Sequence, residues 1–195
     1  MTINYPNGSQ HQVTKKESAA RGMLFEHELN DSNKYYLIQD RAVIYKKPTP
    51  IQIVKVEYPK RAKAKIVEAY YQAPSTTDYN GIYKGRYIDY EAKQTNSLSF
   101  NYELISKHQV DHLNKVDKHG GIAFVIIYFK SIDKIYLIDI KDFNKFYDAA
   151  VSTNSKKKSL KASEIEESYH GHEAKIGYAP RINYLDAVDE MYFKK

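Results

Sequence analysis

The hydrophobic positions of the chain follow two spacings, and each spacing predicts one kind of element. Residues 122–129 are all apolar or aromatic and rich in β-branched side chains, which predicts a buried strand. A second strand is expected over 134–140, after a short turn. Apolar residues recur at helical spacing over 18–29 and predict a helix. The polar run 30–33 is expected to end that helix, and 35–45 to form a strand.

The rest of the chain alternates between strand-like and helix-like segments. Pro48 and Pro50 predict a stiff, extended joint ahead of a strand-like stretch at 51–58, whose two faces are both partly polar. Ser163 is expected to cap a short helix. Helices are also expected over 60–72, 102–117, 142–151 and 184–193, with a hairpin over 76–94. This order predicts one α/β domain with a mixed sheet flanked by helices.

The positive charge of the chain is concentrated in one segment. The whole chain has 30 Lys and Arg, 24 Asp and Glu, and a formal net charge of +6. Residues 46–65 alone hold seven basic side chains and one acidic one, an excess as large as that of the entire chain. We expect a single domain over 19–195 that follows a flexible arm over 1–18 and contains this basic, proline-jointed segment as an insertion at about 46–72, called the stalk below. The stalk favours a polyanionic partner, and a basic surface without a specific partner is the alternative.

Several classes of protein are excluded by what the sequence lacks. The chain has no Cys, which excludes a disulfide framework, a thiolate zinc site and a cysteine nucleophile. Its longest apolar run, 122–129, is far below the about 20 residues that span a bilayer, and the first residues have no apolar signal core. A cytoplasmic protein with no membrane partner is therefore expected. No glycine-rich phosphate loop or dinucleotide fingerprint is present.

The hairpin over 76–94 carries the candidate chemistry. A two-residue turn at 84–85 places Asp78 directly opposite Glu91, with Lys93 on the same face. Two facing carboxylates repel each other unless a cation lies between them, and a divalent ion with oxygen ligands would neutralise both. Lys93 could then stabilise charge on a phosphate or help to position an attacking water.

A second turn is compatible with the same hairpin. The dipeptide Asn80-Gly81 is the stronger turn signal, and it would set Asp78 opposite Tyr83 and separate the two carboxylates. We favour the turn at 84–85 because only two residues separate the dipeptides and because the preceding Ser-Thr-Thr is a poor strand. A solvated face with ordinary charges is the alternative to a metal site.

The hairpin also resembles the PD-(D/E)xK nuclease motif. Asp78 is followed after twelve residues by Glu91-Ala92-Lys93, and Thr77 stands where the Pro often occurs. A wider match, in order from Arg21 to Phe193, resembles the RecU family of Holliday junction resolvases. It is carried by Arg21-Gly22-Met23, Lys46-Lys47-Pro48-Thr49-Pro50, Tyr58-Pro59-Lys60-Arg61, Ser75-Thr76-Thr77-Asp78-Tyr79-Asn80-Gly81, His108-Gln109 and Gly177-Tyr178-Ala179-Pro180-Arg181.

The resemblance implies a restriction-endonuclease-like fold and a homodimer that resolves four-way DNA junctions by paired symmetric nicks. It also implies that the stalk, residues 46–72, protrudes from the core and engages the centre of the junction. It implies Mg²⁺ as the cofactor, with Mn²⁺ as a substitute, and Lys93 as the stabiliser of the transition state. The implied metal ligands are Thr76, Asp78, Glu91 and Gln109. From their positions in the sequence, Glu26 and Asp89 are candidate carboxylates behind these ligands, and an exposed surface position is the favoured alternative for Glu26. Recombinase and branch-migration proteins are further candidate partners, and the expected location is the cytoplasm, at the nucleoid.

Basic residues of the stalk, together with Arg21, are the expected DNA contacts: Arg21, Lys46, Lys47, Lys55, Lys60, Arg61, Lys63 and Lys65. Two departures from the family stand out. Gln94 replaces an acidic residue that is common after the Glu-Ala-Lys triplet, and the connection over 95–107 is shorter and different in sequence. The spacing of His108 and His112, four residues apart on a helix, could bind metal, but with no third ligand a solvated face is favoured.

Two other functions fit parts of the same pattern. One is a restriction-type nuclease that acts on duplex DNA, which a preference for duplex over junction would identify. The other is a junction-binding scaffold without nuclease activity, which would bind junctions and cleave none of them in any metal. Asp78, Glu91 and Lys93 argue against the scaffold, whereas the two departures at 94 and 95–107 leave it open.

Overall fold

The structure is a computed structural model that describes residues 15–58, 63–72, 76–151 and 158–194. Its strands are β1 (Val43–Lys46), β2 (Ile51–Glu57), β3 (Lys65–Tyr71), β4 (Tyr79–Tyr83), β5 (Arg86–Thr95), β6 (Ser99–Asn101), β7 (Ile122–Phe129), β8 (Lys134–Asp139), β9 (Ser159–Lys161), β10 (His172–Ile176) and β11 (Ile182–Asn183). Its α-helices are α1 (Lys15–Ile38), α2 (Lys107–Lys118), α3 (Ile140–Val151), α4 (Ile165–Ser168) and α5 (Tyr184–Tyr192).

A seven-stranded mixed sheet forms the centre, in the order β1-β4-β5-β7-β8-β10-β11. Strands β5 and β7 are parallel, and the other neighbours are antiparallel. Buried residues of α1 and α5 pack on one face of the sheet, and those of α2 and α3 pack on the other. The predicted α/β fold, with a mixed sheet flanked by helices, is confirmed.

The strand predicted over 122–129 is β7, with the bounds as predicted. It lies between β5 and β8, and helices cover both of its faces, so that seven of its eight residues are buried. A strand covered on both faces needs apolar side chains at consecutive positions, which explains the unbroken apolar run. The strand predicted over 134–140 is β8, one residue shorter.

The predicted end of the first helix is wrong. Helix α1 begins at Lys15 and continues through the polar run 30–33 to Ile38, so that the strand expected over 35–45 is reduced to β1. Ser32 and Asn33 are buried, and both have partners far away in the chain: Ser32 Oγ accepts a hydrogen bond from the backbone N–H of Ile182 at 2.8 Å, and Asn33 Nδ2 donates to the hydroxyl of Tyr90. Because tertiary contacts satisfy these polar groups, they do not end the helix.

The prediction of a helix over 60–72 is also wrong for the residues of this segment that the structure describes. Residues 65–71 form β3, which pairs with β2 in a separate two-stranded antiparallel sheet. Residues 59–62, which contain Lys60 and Arg61, lie outside the described residues. Pairing with β2 outweighs the local helical propensity of this segment, in which β-branched and aromatic residues also suit a strand.

The remaining helices differ from the predictions mainly at their first residues. A 3₁₀ turn over 102–104 precedes α2, α3 begins two residues before the predicted Asp142, and α5 begins at Tyr184 as predicted. A 3₁₀ turn also precedes α4, whose cap position is occupied by Glu164 and not by Ser163. The sequence did not predict the short strands β6 and β9, which pair with each other. In the described part of the chain, no helix is long and apolar enough to cross a membrane.

Candidate active site

The register of the β4–β5 hairpin determines which side chains meet. Lys84 and Gly85 have φ values of 48° and 76°, as a two-residue type I′ turn requires, and Tyr83 pairs with Arg86. The predicted turn at 84–85 is therefore confirmed. Gly81 lies inside β4, where an added Cβ would come within 2.0 Å of the Val43 carbonyl oxygen. The glycine thus permits the close approach of β1 and does not form a turn.

Alternate residues of β5 point to opposite faces of the sheet. Ile88 and Tyr90 are in the core beneath α1 and α5, whereas Asp89 and Glu91 are buried polar residues on the face that carries α2. On that face the carboxylates of β5 meet the side chains of α2, as the period of two along the strand predicts. The candidate site is therefore a cluster of polar side chains between β5 and the first turns of α2.

Glu91 is the most deeply buried acid of the predicted metal site. Its Oε1 accepts hydrogen bonds from Lys93 Nζ and, at 2.7 Å, from Gln109 Nε2, while Oε2 is buried and has no hydrogen-bond partner. Burial, followed by the negative charge of Asp78, raises the pKa of Glu91 to about 7. A buried carboxylate oxygen without a partner, beside a second carboxylate, is the environment that a bound cation would stabilise.

Asp78 lies just before β4 and is tied to the strand opposite. Its Oδ2 accepts a hydrogen bond from the backbone N–H of Ala92 at 3.0 Å, and its carbonyl accepts one from the N–H of Lys47 at 2.8 Å. Since Ala92 directly follows Glu91, this contact holds Asp78 beside the second carboxylate. The structure thus brings together Asp78, Glu91 and Lys93.

Thr76 and Gln109, the two neutral ligands that the resemblance implies, have different hydrogen-bond partners in the structure. Thr76 Oγ1 accepts a hydrogen bond from Lys47 Nζ at 3.2 Å. Gln109 presents its amide nitrogen to Glu91, and its Oε1 accepts from the backbone N–H and the hydroxyl of Ser106, at 3.0 and 2.9 Å. These contacts cap the start of α2. For Oε1 to bind a cation, the amide would have to turn over and release that cap.

Among the described residues, no group of three or more His, Cys, Asp or Glu side chains could hold a metal ion. A cation bound to Asp78 and Glu91 would therefore need neutral oxygen ligands, such as a threonine hydroxyl, a glutamine amide or water. The residues present fit a hard divalent cation of that kind, because the partnerless Oε2 of Glu91 is an anionic oxygen ligand that no protein group satisfies.

Asp89 is the centre of a second polar cluster on the same face, and its side chain is 0% exposed. Oδ1 accepts a hydrogen bond from Thr77, and Oδ2 accepts from Lys47 Nζ at 2.8 Å, Tyr87 Oη at 2.9 Å and His112 Nε2 at 3.0 Å. The interpretation of His112 as part of a solvated face is wrong. It lies three residues after Gln109 on α2, and this spacing could have placed both residues on the face that meets β5.

Comparison with known proteins shows which family the chain belongs to. A family model described as "RecU: Recombination protein U" matches residues 20–190 of the chain. The chain belongs to the RecU family. The protein named Holliday junction resolvase RecU of Bacillus mycoides (strain KBAB4) is 47% identical over 203 residues, which cover 99% of this chain and 100% of that protein. The protein of the same name from Shouchella clausii (strain KSM-K16) is 47% identical over 99% of this chain and 96% of its own length.

Solved structures are also similar to this chain, and one of them comes from an archaeon. It is the 1.6 Å structure of Hjc from Archaeoglobus fulgidus, described as a Holliday junction resolvase from an archaeal hyperthermophile. It aligns with a TM-score of 0.44 and 14% identity, covering 78% of this chain and 95% of that one.

The two departures from the RecU pattern lie away from the carboxylates or preserve their surroundings. Gln94 is on the face of β5 opposite to Glu91 and Lys93, since strand residues alternate. In the 95–107 connection, β6 pairs with β9, and Ser106 then caps α2. The shorter connection therefore still brings Gln109 to within 2.7 Å of Glu91.

The predicted DNA contacts of this RecU-family chain fall into three groups. Lys55, Lys63 and Lys65 are exposed on or beside the β2–β3 sheet. Lys46 is 41% exposed and pairs with Glu26 of α1 at 2.5 Å, whereas Lys47 is only 14% exposed and pairs with Asp89. Arg21 is part of α1, but its side chain lies outside the description, as do Lys60 and Arg61 altogether.

Proposed function

We propose that this RecU-family chain is a Holliday junction resolvase, an Mg²⁺-dependent endodeoxyribonuclease that cuts four-way DNA junctions by paired symmetric nicks. The observation that carries the proposal is the meeting of Asp78, Glu91 and Lys93 on one face of the hairpin, with the buried Oε2 of Glu91 lacking a partner. Mn²⁺ is the expected substitute for Mg²⁺, because both are hard ions that bind carboxylate oxygens.

Each residue of the site has a distinct task in this mechanism. Asp78 and Glu91 would hold the cation, with Thr76 and Gln109 as neutral ligands, and the bound cation would activate a water molecule and polarise the scissile phosphate. Lys93 contacts the buried Glu91 and is itself 27% exposed, so that its ammonium can compensate the negative charge that develops on the phosphate. The expected products have 5′-phosphate and 3′-hydroxyl ends.

The stalk supplies the surface for DNA in this proposal. Lys55, Lys63 and Lys65 are exposed there, and the sequence adds Lys60 and Arg61 between β2 and β3. Contacts from lysines to phosphates provide affinity and strong salt dependence, with little information about base sequence. Such contacts suit an enzyme that selects the shape of a junction.

A homodimer would explain both the paired nicks and the apolar surface of the stalk. A two-stranded sheet is marginally stable by itself, yet the described part of the stalk exposes many large apolar side chains. They are Ile51, Ile53, Val54, Tyr58, Ile66, Val67, Tyr70 and Tyr71. A second copy related by a two-fold axis would cover such a surface and present two sites to two strands. Sedimentation velocity at micromolar concentration tests this step, and a monomer would contradict it.

The activity test compares an immobile four-way junction with a matched linear duplex in Mg²⁺, Mn²⁺ or EDTA. Asp78→Asn, which keeps the side-chain shape, runs beside the wild type, with a gel-shift assay for binding. We expect symmetric nicks in the junction that need metal and disappear in Asp78→Asn while binding remains. Equal cleavage of duplex would favour a restriction-type nuclease, and tight junction binding without cleavage in any metal would favour the scaffold.

The biological setting follows from this activity. A junction resolvase acts where homologous DNA molecules are joined, so we place the protein in recombination, DNA repair and chromosome segregation, in the cytoplasm at the nucleoid. Recombinase and branch-migration proteins, which make and move the same junctions, are its candidate partners.

A further inference from the structure

Lys47 is turned into the protein, unlike a typical DNA-contacting lysine. Its three ammonium protons all have acceptors: Thr76 Oγ1 at 3.2 Å, Thr77 Oγ1 at 2.5 Å and Asp89 Oδ2 at 2.8 Å. Only 14% of the side chain is exposed. To contact a DNA phosphate, the ammonium would have to leave a carboxylate that is completely buried, and burial makes an unpaired charge costly.

The contacts of Lys47 converge on the short segment 76–78. This segment lies before the first residue of β4, and it contains Thr76 and Asp78, two of the proposed metal ligands. Lys47 contacts this segment through both its backbone and its side chain. Its backbone N–H donates to the Asp78 carbonyl at 2.8 Å, and its ammonium donates to both threonine hydroxyls.

Asp89 anchors Lys47 and joins the two sides of the site. Its carboxylate accepts from Thr77 in the 76–78 segment, from Lys47 after β1 and from His112 on α2. Helix α2 also carries Gln109, the ligand candidate that donates a hydrogen bond to Glu91. One buried carboxylate is thus bonded both to the segment that carries Thr76 and Asp78 and to the helix that carries Gln109.

We propose that Lys47, held by Asp89, is a positioning residue that keeps Thr76 and Asp78 at the spacing needed to bind the divalent cation, and that it is not a DNA contact. This inference rests on the proposed function, since it assigns a support to the metal site of that function. Groups that orient metal ligands from behind typically change metal affinity by about 10- to 100-fold when removed.

Adjacent lysines provide a matched test. Lys46 and Lys47 have the same side chain and each pairs with one carboxylate, but on opposite faces of the sheet. Mn²⁺ binding is measured without DNA, by titration calorimetry and by the electron paramagnetic resonance signal of free Mn²⁺, for the wild type, Lys47→Met and Lys46→Met. We expect Lys47→Met to weaken Mn²⁺ binding at least about tenfold and to leave junction binding in EDTA within about twofold. Lys46→Met should leave the Mn²⁺ constant within about twofold.

Two further variants keep the inference testable if Lys47→Met does not fold. Asp89→Asn preserves the shape of the anchor and should weaken Mn²⁺ binding by a similar factor, and Lys47→Arg, which keeps the charge, should lie closer to the wild type. An unchanged Mn²⁺ constant in Lys47→Met or Asp89→Asn would overturn the inference, as would weaker junction binding with unchanged Mn²⁺ binding. Wild-type protein that neither binds Mn²⁺ nor cleaves junctions would overturn the proposed function itself.

Discussion

Asp78 and Glu91 lie beside each other across the β4–β5 hairpin, and the charge of Asp78 adds to burial in raising the pKa of Glu91 to about 7, from an ordinary value of 4.5. The folded protein without metal therefore holds a proton on Glu91 at pH values where the unfolded chain has released it. Folding takes up a proton between about pH 4.5 and 7, so the contribution of Glu91 to stability falls as the pH rises through this window.

This relationship predicts the pH dependence of stability in EDTA. A shift of this size corresponds to about 3 kcal/mol, so the free energy of unfolding should fall by about that amount from Glu91 between pH 4 and pH 8. Glu91→Gln, which cannot ionise, should lack this component and be more stable than the wild type at pH 8. Urea unfolding over a pH series measures both profiles. Parallel profiles for the two proteins would contradict the prediction.

Protons and metal should compete for the same carboxylate. At subsaturating Mg²⁺, we expect the rate of junction cleavage to rise with pH, with a midpoint near pH 7, because the metal binds the ionised form of Glu91. Saturating Mg²⁺ should move the midpoint to lower pH. Single-turnover rates at several Mg²⁺ concentrations test this coupling, and a midpoint that does not move with Mg²⁺ would argue against it.

Lys93 is expected to act in the transition state rather than in binding. Replacement by Gln should lower the single-turnover cleavage rate about 100-fold or more, because the developing charge on the phosphate loses its cation. Junction affinity in EDTA should stay within about twofold of the wild type. Lys134→Gln is the control, since Lys134 also pairs with a glutamate, Glu173, but on β8 and β10. A rate for Lys93→Gln equal to that of the control would contradict the assignment.

The buried polar contacts of Asn33 should matter for stability and not for chemistry. Tyr184 Oη donates to Asn33 Oδ1 in the core, so Tyr184→Phe leaves a buried acceptor without this donor. We expect the free energy of unfolding to fall by about 1–3 kcal/mol. Tyr178→Phe, at a completely exposed tyrosine, is the matched control and should change nothing. Denaturant titration of both variants gives the comparison, and equal stabilities would refute the prediction.

The stalk lysines should determine how strongly junction binding depends on salt. Replacing Lys55, Lys63 and Lys65 together by Gln should weaken binding and reduce the slope of log affinity against log salt by about 2 to 3, if each lysine neutralises one phosphate. The control triple variant removes the same charge elsewhere, at Lys134, Lys175 and Lys194. Binding isotherms at several salt concentrations distinguish the two, and equal slopes for both variants would place the DNA elsewhere.

The local sequence pattern was sufficient to predict an element where a single physical requirement, such as burial on both faces or the geometry of a tight turn, determined its residues. The apolar run 122–129 predicted β7, because a strand covered on both faces has no other composition open to it. The alternation along β5 and the turn at 84–85 together placed Asp78 beside Glu91, since a two-residue turn sets every pair in an antiparallel hairpin. The main carboxylates of the candidate site were therefore predictable from the sequence.

Long-range contacts decided the rest. The sequence predicted that Asn33 ends a helix. In the structure, Tyr90 and Tyr184, which are more than 50 residues away in the chain, are its hydrogen-bond partners within the core, and the helix continues. The sequence predicted that Lys47 is a DNA-contacting residue of the stalk and that His112 lies on a solvated helix face. In the structure, both side chains contact the buried carboxylate of Asp89, because α2 and the end of β1 pack around it. Local spacing determines the face of a helix or strand on which a side chain lies. Only the tertiary structure determines which residue that side chain contacts, because the contacting residue comes from a distant part of the chain.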